Sequence, residues 1–399
     1  MPHASTTVRP HWPVERALQH LRAIVPQGSV PHAAEIAACL RHLNAKELFA
    51  LNLRARKALA PQSPDAVRPM TERVPPTVAW VVAAVLSFHK DGFVRERAVA
   101  QLSTYEPRDV LGFLLLRLND WVGPIRERAR AAISDMLKPR HARAFVDMLQ
   151  MLELARSWGR GDHTAILEQI GQLVQAPNTR RARWEALAHP DARQRRLAFA
   201  LCLRADNDLA GLADAAEEHG GDWQRRQVLR VASGRDDAVA QRIAVASLLE
   251  TTATLRALAQ GAVRRQQPDF DLRAYYTRAL AGPSMRGALY GLAETGTAAD
   301  GPAAVEALEH PHTSVRRAAL YAIAWLDSEG LSQHTVRALT DSRARVRADA
   351  CRWLCRYPHL VAKHRAEIER VAGEARDGSS RGGAAEVLAV ADAFVERWM

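Results

Sequence analysis

Lysine is almost missing from this 399-residue chain: Lys46, Lys57, Lys90, Lys138 and Lys363 are five of its 55 basic residues, and the other 50 are arginine. Such usage, with abundant alanine, is what a GC-rich bacterial genome produces, so part of the basic excess is an accent of the genome. Cysteine is scarce too. Cys39, Cys202, Cys351 and Cys355 are too few and too unevenly spaced for a disulfide framework, which points to a reducing, cytoplasmic location. No stretch of about 18 apolar residues runs unbroken by charge, which excludes a transmembrane helix. Met1 to Arg9 lacks the apolar segment a secretory signal needs.

Catalytic signatures are missing as well. There is no Gly-x-x-x-x-Gly-Lys-Ser/Thr phosphate loop and no Gly-x-Ser-x-Gly nucleophile turn. Cys351, Cys355, His359 and His364 are the right residue types for zinc, but their spacing has no Cys-x-x-Cys knuckle. Cys351 also falls in the column of Val99 and Leu320, a core position. No metal, cofactor or catalytic residue is therefore assigned.

What the chain does contain is a repeat. Val94-Arg95-Glu96-Arg97-Ala98 returns as Ile125-Arg126-Glu127-Arg128-Ala129, 31 residues later. Val315-Arg316 and Val346-Arg347 are separated by the same 31, as are Ala288-Leu289-Tyr290 and Ala319-Leu320-Tyr321. A period of this size in both halves is the mark of a stacked array, in which each unit buries its apolar face on its neighbours. Each unit reads as helix, turn, helix. Val110, Leu111, Leu114, Leu115 and Leu118 share one helical face, Asp120 to Pro124 forms the turn, and Ile125, Ala129, Ala132 and Ile133 line the next helix.

Six residues before each recurrent arginine stands a polar turn residue: His89, Asp120, His189, His310 and Asp341 precede Arg95, Arg126, Arg195, Arg316 and Arg347. With Asp-x-x-x-x-Val-Arg at Asp341 to Arg347, and Ile for Val at Asp120 to Arg126, the chain resembles the HEAT-repeat family, in its short-unit, PBS-lyase-type branch. The resemblance implies an all-α fold, a right-handed solenoid with the second helices on its concave side. It also implies a structural ladder in which a turn Asp bridges to a helix Arg of the adjacent repeat. That ladder would use Asp120, Asp341, Arg95, Arg126, Arg195, Arg316 and Arg347. His in three of the five turns is expected to weaken it.

Residues 1–60 are expected to form an N-terminal helical cap, with helices over 14–25, 31–44 and 45–60. A proline-bearing connector follows at 61–76, then repeats over 77–357 with a degenerate stretch around 139–184. Capping helices are expected over 358–399, the last at 384–398. Chemistry found elsewhere in the family finds little to stand on here. None of the 15 histidines is followed by glutamate, which removes the His-Glu di-iron pattern. No residue pattern carries a lyase or isomerase reaction. Asp120-Trp121 and Asp222-Trp223 pair the residue types of the HEAT-like DNA glycosylases, but Asp120 is already the turn acid.

The net charge of +11 invites an acidic partner. Arg97, Arg128, Arg130, Arg196, Arg317 and Arg345, on second helices, are the candidate partner-binding residues. The expected function is a non-catalytic scaffold that binds another protein through its concave or edge surface, with no membrane contact. The alternative is nucleic-acid binding in a basic groove, whose affinity would fall steeply with salt.

Overall fold

The computed structural model describes residues 30–41, 43–59, 61–326, 328–357, 361, 363–374 and 383–392. The expected helix at 14–25 and the end of the one at 384–398 lie outside them. Every regular element among the described residues is an α or 3-10 helix, none long and apolar enough to cross a membrane. The described residues divide into two compact units. One runs to Asp208 and includes Glu218–Gly220; the other comprises Leu209–Glu217 and the chain from Gly221 onward. In each, helical hairpins pack on their sequence neighbours, the arrangement of an all-α solenoid.

In the first unit, helix Pro76–Leu86 starts on a proline in its first turn and buries every residue from Ala79 to Leu86. It can do so because helices Val30–Arg41, Val67–Glu72 and Gly92–Leu102 all pack against it. The 61–76 segment carries a 3-10 turn, Pro64–Ala66, and the helix Val67–Glu72, whose Val67 and Thr71 are buried. Pro107–Arg117 pairs with Gly123–Asp135 as the clearest hairpin. In the stretch where the period fades, short helices continue over Ala142–Asp147, Leu149–Ala155, Thr164–Gln175 and Arg180–Glu185.

In the second unit, helices Thr313–Leu326, Ala344–Arg356 and Arg365–Glu374 share a core in which Leu320, Val346, Leu354, Ile368 and Val371 meet Ala384, Val387 and Ala391. The last three come from the C-terminal segment, whose apolar side thus lies on the array.

The recurrent arginines all reach back to their own turn. Arg95, Arg126, Arg195, Arg316 and Arg347 each donate to the carbonyl of the residue six before, at 2.7–2.9 Å. Arg95 and Arg316 also bridge forward. Arg95 forms a bidentate pair with Asp120 at 3.0 and 2.8 Å, and Arg316 with Asp341 at 2.8 Å twice. Both acids stand 25 residues on. At that offset from Arg126, Arg195 and Arg347 the sequence has Met151, Gly220 and Ala372, so no carboxylate waits there.

Histidine in the turns performs half of the aspartate's task. The Nδ1 of His89, His189 and His310 accepts the amide N–H two residues on at 3.0–3.1 Å. Asp120 and Asp341 accept the equivalent amides of Val122 and Arg343. An imidazole can cap the turn but cannot receive a bidentate guanidinium.

Candidate functional site

A helix brings residues i, i+4 and i+8 to one face. On Thr313–Leu326, with Arg316 turned to the ladder, the neighbouring face carries Arg317, Tyr321 and Trp325. The same register one repeat earlier, on helix Met285–Thr295, carries Arg286, Tyr290 and Glu294, 31 residues back. One repeat later, on Ala344–Arg356 and just beyond it, it carries Asp349, Trp353 and Tyr357, 32 residues on. These three second helices are consecutive neighbours, so the positions line up as rows across them.

The middle row is aromatic. Tyr290 and Tyr321 meet nearly edge to face, with centroids 5.2 Å apart at 75°, and Tyr321 meets Trp353 at 6.1 Å and 63°. Trp353 lies parallel to Tyr357 at 6.1 Å, and Tyr321 touches Trp325 at 6.2 Å. Guanidinium groups sit over the rings: Arg256 and Arg286 over Tyr290, Arg356 over both Trp353 and Tyr357. The row is half-buried, while the Trp325 side chain is 60% exposed. Burial raises the Tyr321 hydroxyl above its ordinary value, so it is neutral and able to donate.

Carboxylates on this face are already engaged. Glu294 accepts from Arg256, in a bidentate pair, and from Gln260 at 2.8 Å. Asp349, itself buried, takes Arg317 at 2.5 Å and Arg352 at 2.7 Å. The hydrogen bond to Asp349 raises the Arg317 guanidinium further.

The arginines expected to meet a partner are therefore of two kinds. Arg128 donates to Glu96 at 3.0 Å, Arg130 to Glu127 at 2.7 Å and to the Asp162 carbonyl, and Arg317 to Asp349. Arg97 and Arg345 are exposed with no carboxylate partner among the described residues, and Arg196 is exposed, as is Arg128. Arg317 and Arg345 belong to the second unit and the other four to the first. Asp120, the acid of the glycosylase-like pair, is buried under Arg95 and Arg117. Trp121 is 64% exposed, its ring capped by Arg160 at 3.6 Å. Asp222 pairs with Arg225 at 2.5 Å.

Among the zinc candidates, burial raises both the Cys351 and Cys355 thiols, and His359 lies outside the described residues. Two arginines that the period did not single out form ladder-like pairs. Arg256 reaches back to the Glu250 carbonyl and across to Glu294. Arg183 reaches back to the Val174 and Ala176 carbonyls and across to Asp206. A search that allowed glutamate as the turn acid would have found Glu250 six before Arg256.

A cleft of about 510 Å³ lies in the first unit beside the N-terminus of helix Thr164–Gln175, lined by Trp158, Asp162, His163 and Glu168 among others. His163 is 4% exposed, packed edge-on against Trp158, with neither ring nitrogen hydrogen-bonded among the described residues. Burial, then the charge of Arg130, holds its pKa below the ordinary value. A histidine depressed in the folded state contributes stability that is complete above the unfolded value, about 6.5, and is lost as pH falls from there toward the folded value. His163→Phe should therefore leave the first unit at least as stable at neutral pH, since an unpaired buried polar group costs about 1–3 kcal/mol. It should also shrink the loss on acidification, measured as urea midpoints at about pH 7.5 and 5.5. A variant that lost stability equally at both would refute this account of the ring.

No family model and no curated protein matches the chain. Among solved structures, it is similar to a chain from a study of tubulin recruitment and assembly by microtubule polymerases with tumor overexpressed gene (TOG) domain arrays. Identity is 11%, over 88% of this chain and 92% of that one, with a TM-score of 0.24. A score that low is no superposition of folds, and the architecture rests on the helices described above.

Proposed function

We propose that this chain is a non-catalytic, HEAT-type scaffold that binds a protein partner across the Tyr290–Tyr321–Trp353 face of its second unit. The observation that carries the reading is a contrast at one repeat position. Five residues after the ladder arginine the first unit has Ala100, Ala131 and Ala200, whereas the second has Tyr321 after Arg316 and, after Arg347, Arg352 with Trp353 beside it. Alanine there satisfies the fold, so a half-exposed row of tyrosine and tryptophan is not a requirement of stacking. Tyr, Trp and Arg are also the residues that dominate protein interfaces.

Ion pairing weighs against nucleic acid. At least three of the six arginines named for a groove are ion-paired, Arg128, Arg130 and Arg317. The test is a native pull-down from the source cell with the wild-type chain and with Tyr321→Ala/Trp325→Ala. The expected result is a stoichiometric protein that survives nuclease and is lost with the variant, at a cost of about 2 kcal/mol or more. Recovery that is indifferent to the variant, or that nuclease removes, would sink the proposal.

A further inference from the structure

The aromatic face has a cation at each end that no described carboxylate neutralises. Arg286 sits 5.8 Å from the Tyr290 ring, and Arg356 sits 5.8 and 5.9 Å from Trp353 and Tyr357. Neither has a carboxylate partner among the described residues. This sets them apart from Arg256, Arg273, Arg316, Arg317 and Arg352 of the same unit, each of which is bound to an Asp or Glu. The Nε of Arg286 is moreover buried without an acceptor, and a desolvated guanidinium donor left unpaired is costly.

The two acids near the row, Glu294 and Asp349, are each held by two donors. Arg345, Arg352 and Arg356 fall on one side of helix Ala344–Arg356 by their spacing of seven and four. The face is thus aromatic along its middle and cationic at its ends.

Resting on the reading that this face binds protein, we infer that its occupant is an acidic segment. One carboxylate of the segment pairs with Arg286, another pairs with Arg356, and apolar or aromatic side chains lie between them on the row. Ring-to-ring steps of 5.2, 6.1 and 6.1 Å set the separation. They span about 17 Å at full reach, roughly five residues of extended chain or eleven of helix. A guanidinium over an aromatic ring still has N–H donors to offer a carboxylate, and with the Arg286 Nε buried these are its terminal nitrogens.

The experiment is selection of a random peptide library displayed on phage against the full chain. Selected pools are then rebound to Tyr321→Ala/Trp353→Ala, to Arg286→Gln/Arg356→Glu and, as a charge control at an exposed position of the first unit, to Arg204→Glu. The expected pool is rich in Asp and Glu around aromatic or aliphatic residues. It should bind the first two variants about tenfold or more weakly, retain binding to the third, and weaken with salt. A pool that is neutral or basic, or indifferent to Arg286→Gln/Arg356→Glu yet lost on Tyr321→Ala/Trp353→Ala, overturns the acidic occupant and leaves the face standing. A pool indifferent to Tyr321→Ala/Trp353→Ala, or no enrichment over a bare support, overturns the face as well. Circular dichroism of each variant separates lost binding from lost fold.

Discussion

Asp120→Ala should cost the first unit about 3–5 kcal/mol, the value of removing one partner from a buried ion pair. Asp120 is 4% exposed and accepts from Arg95 twice, from Arg117 at 3.1 Å and from the Val122 amide. Arg95 is 2% exposed and Arg117 5%, so the substitution strands two desolvated cations. Burial already pushes Arg117 down to about 10. Asp341→Ala should cost the second unit less, since the Arg316 and Asp341 side chains keep 11% and 15% of their exposure and water can take up part of the charge.

The same carboxylate adds a pH dependence. Burial alone would raise the Asp120 pKa, but hydrogen bonds from Arg95, the charge of Arg117 and the Val122 amide outweigh it and hold the group below its ordinary value. Its contribution is present above the unfolded pKa, about 3.9, and is lost as pH falls through the folded value. Urea unfolding followed at each unit by hydrogen exchange checks the order of the two variants. Equal losses for Asp120→Ala and Asp341→Ala would show that burial does not set the cost. Replacing Arg95, Arg117 and Asp120 together by apolar residues should recover much of the loss, because desolvation is then no longer opposed by a missing partner.

The sequence makes the stacking legible and the surface less so. A six-residue interval locates the arginine-to-carbonyl bond of all five repeats because both groups lie within one turn and one helix, where chain geometry fixes the distance. The bridge to the next repeat depends on a residue 25 further on, and only Arg95 and Arg316 have an acid there. Arg256 escaped because its turn residue is Glu250, neither Asp nor His, and Arg183 because Pro177 stands six before it and its carbonyl partners are Val174 and Ala176. Their acids, Glu294 and Asp206, stand 38 and 23 residues on. The aromatic row was half visible. Tyr290 and Tyr321 share the 31-residue period, but Trp353 follows at 32, and only packing shows that one added residue leaves it in line.

Gly287→Ala should be among the most damaging single substitutions in the second unit, and its effect should reach the binding face. Helix Met285–Thr295 approaches its neighbours so closely that a Cβ on Gly287 would lie 1.9 Å from the Leu249 carbonyl oxygen. On Gly291 it would lie 2.0 Å from the ring of the fully buried Tyr276. In an unobstructed helix, alanine for glycine stabilises by up to about 1 kcal/mol, and Gly261, with nothing within 4 Å of its Cβ position, should show that gain. At Gly287 the obstacle is backbone, so the helix itself must retreat, at a cost above about 4 kcal/mol. At Gly291 the obstacle is a side chain whose hydroxyl is tied to the Leu248 carbonyl and Gln260, and about 3 kcal/mol is expected. Tyr276→Ala should then relieve part of the Gly291→Ala cost in a double-mutant cycle and none of the Gly287→Ala cost. Since Arg286 and Tyr290 ride on this helix, peptide capture should fall with Gly287→Ala even under conditions where the unit stays folded, and should persist with Gly261→Ala. Gly287→Ala chains that fold and bind as wild type would mean that the close approach is not what holds this end of the face in place.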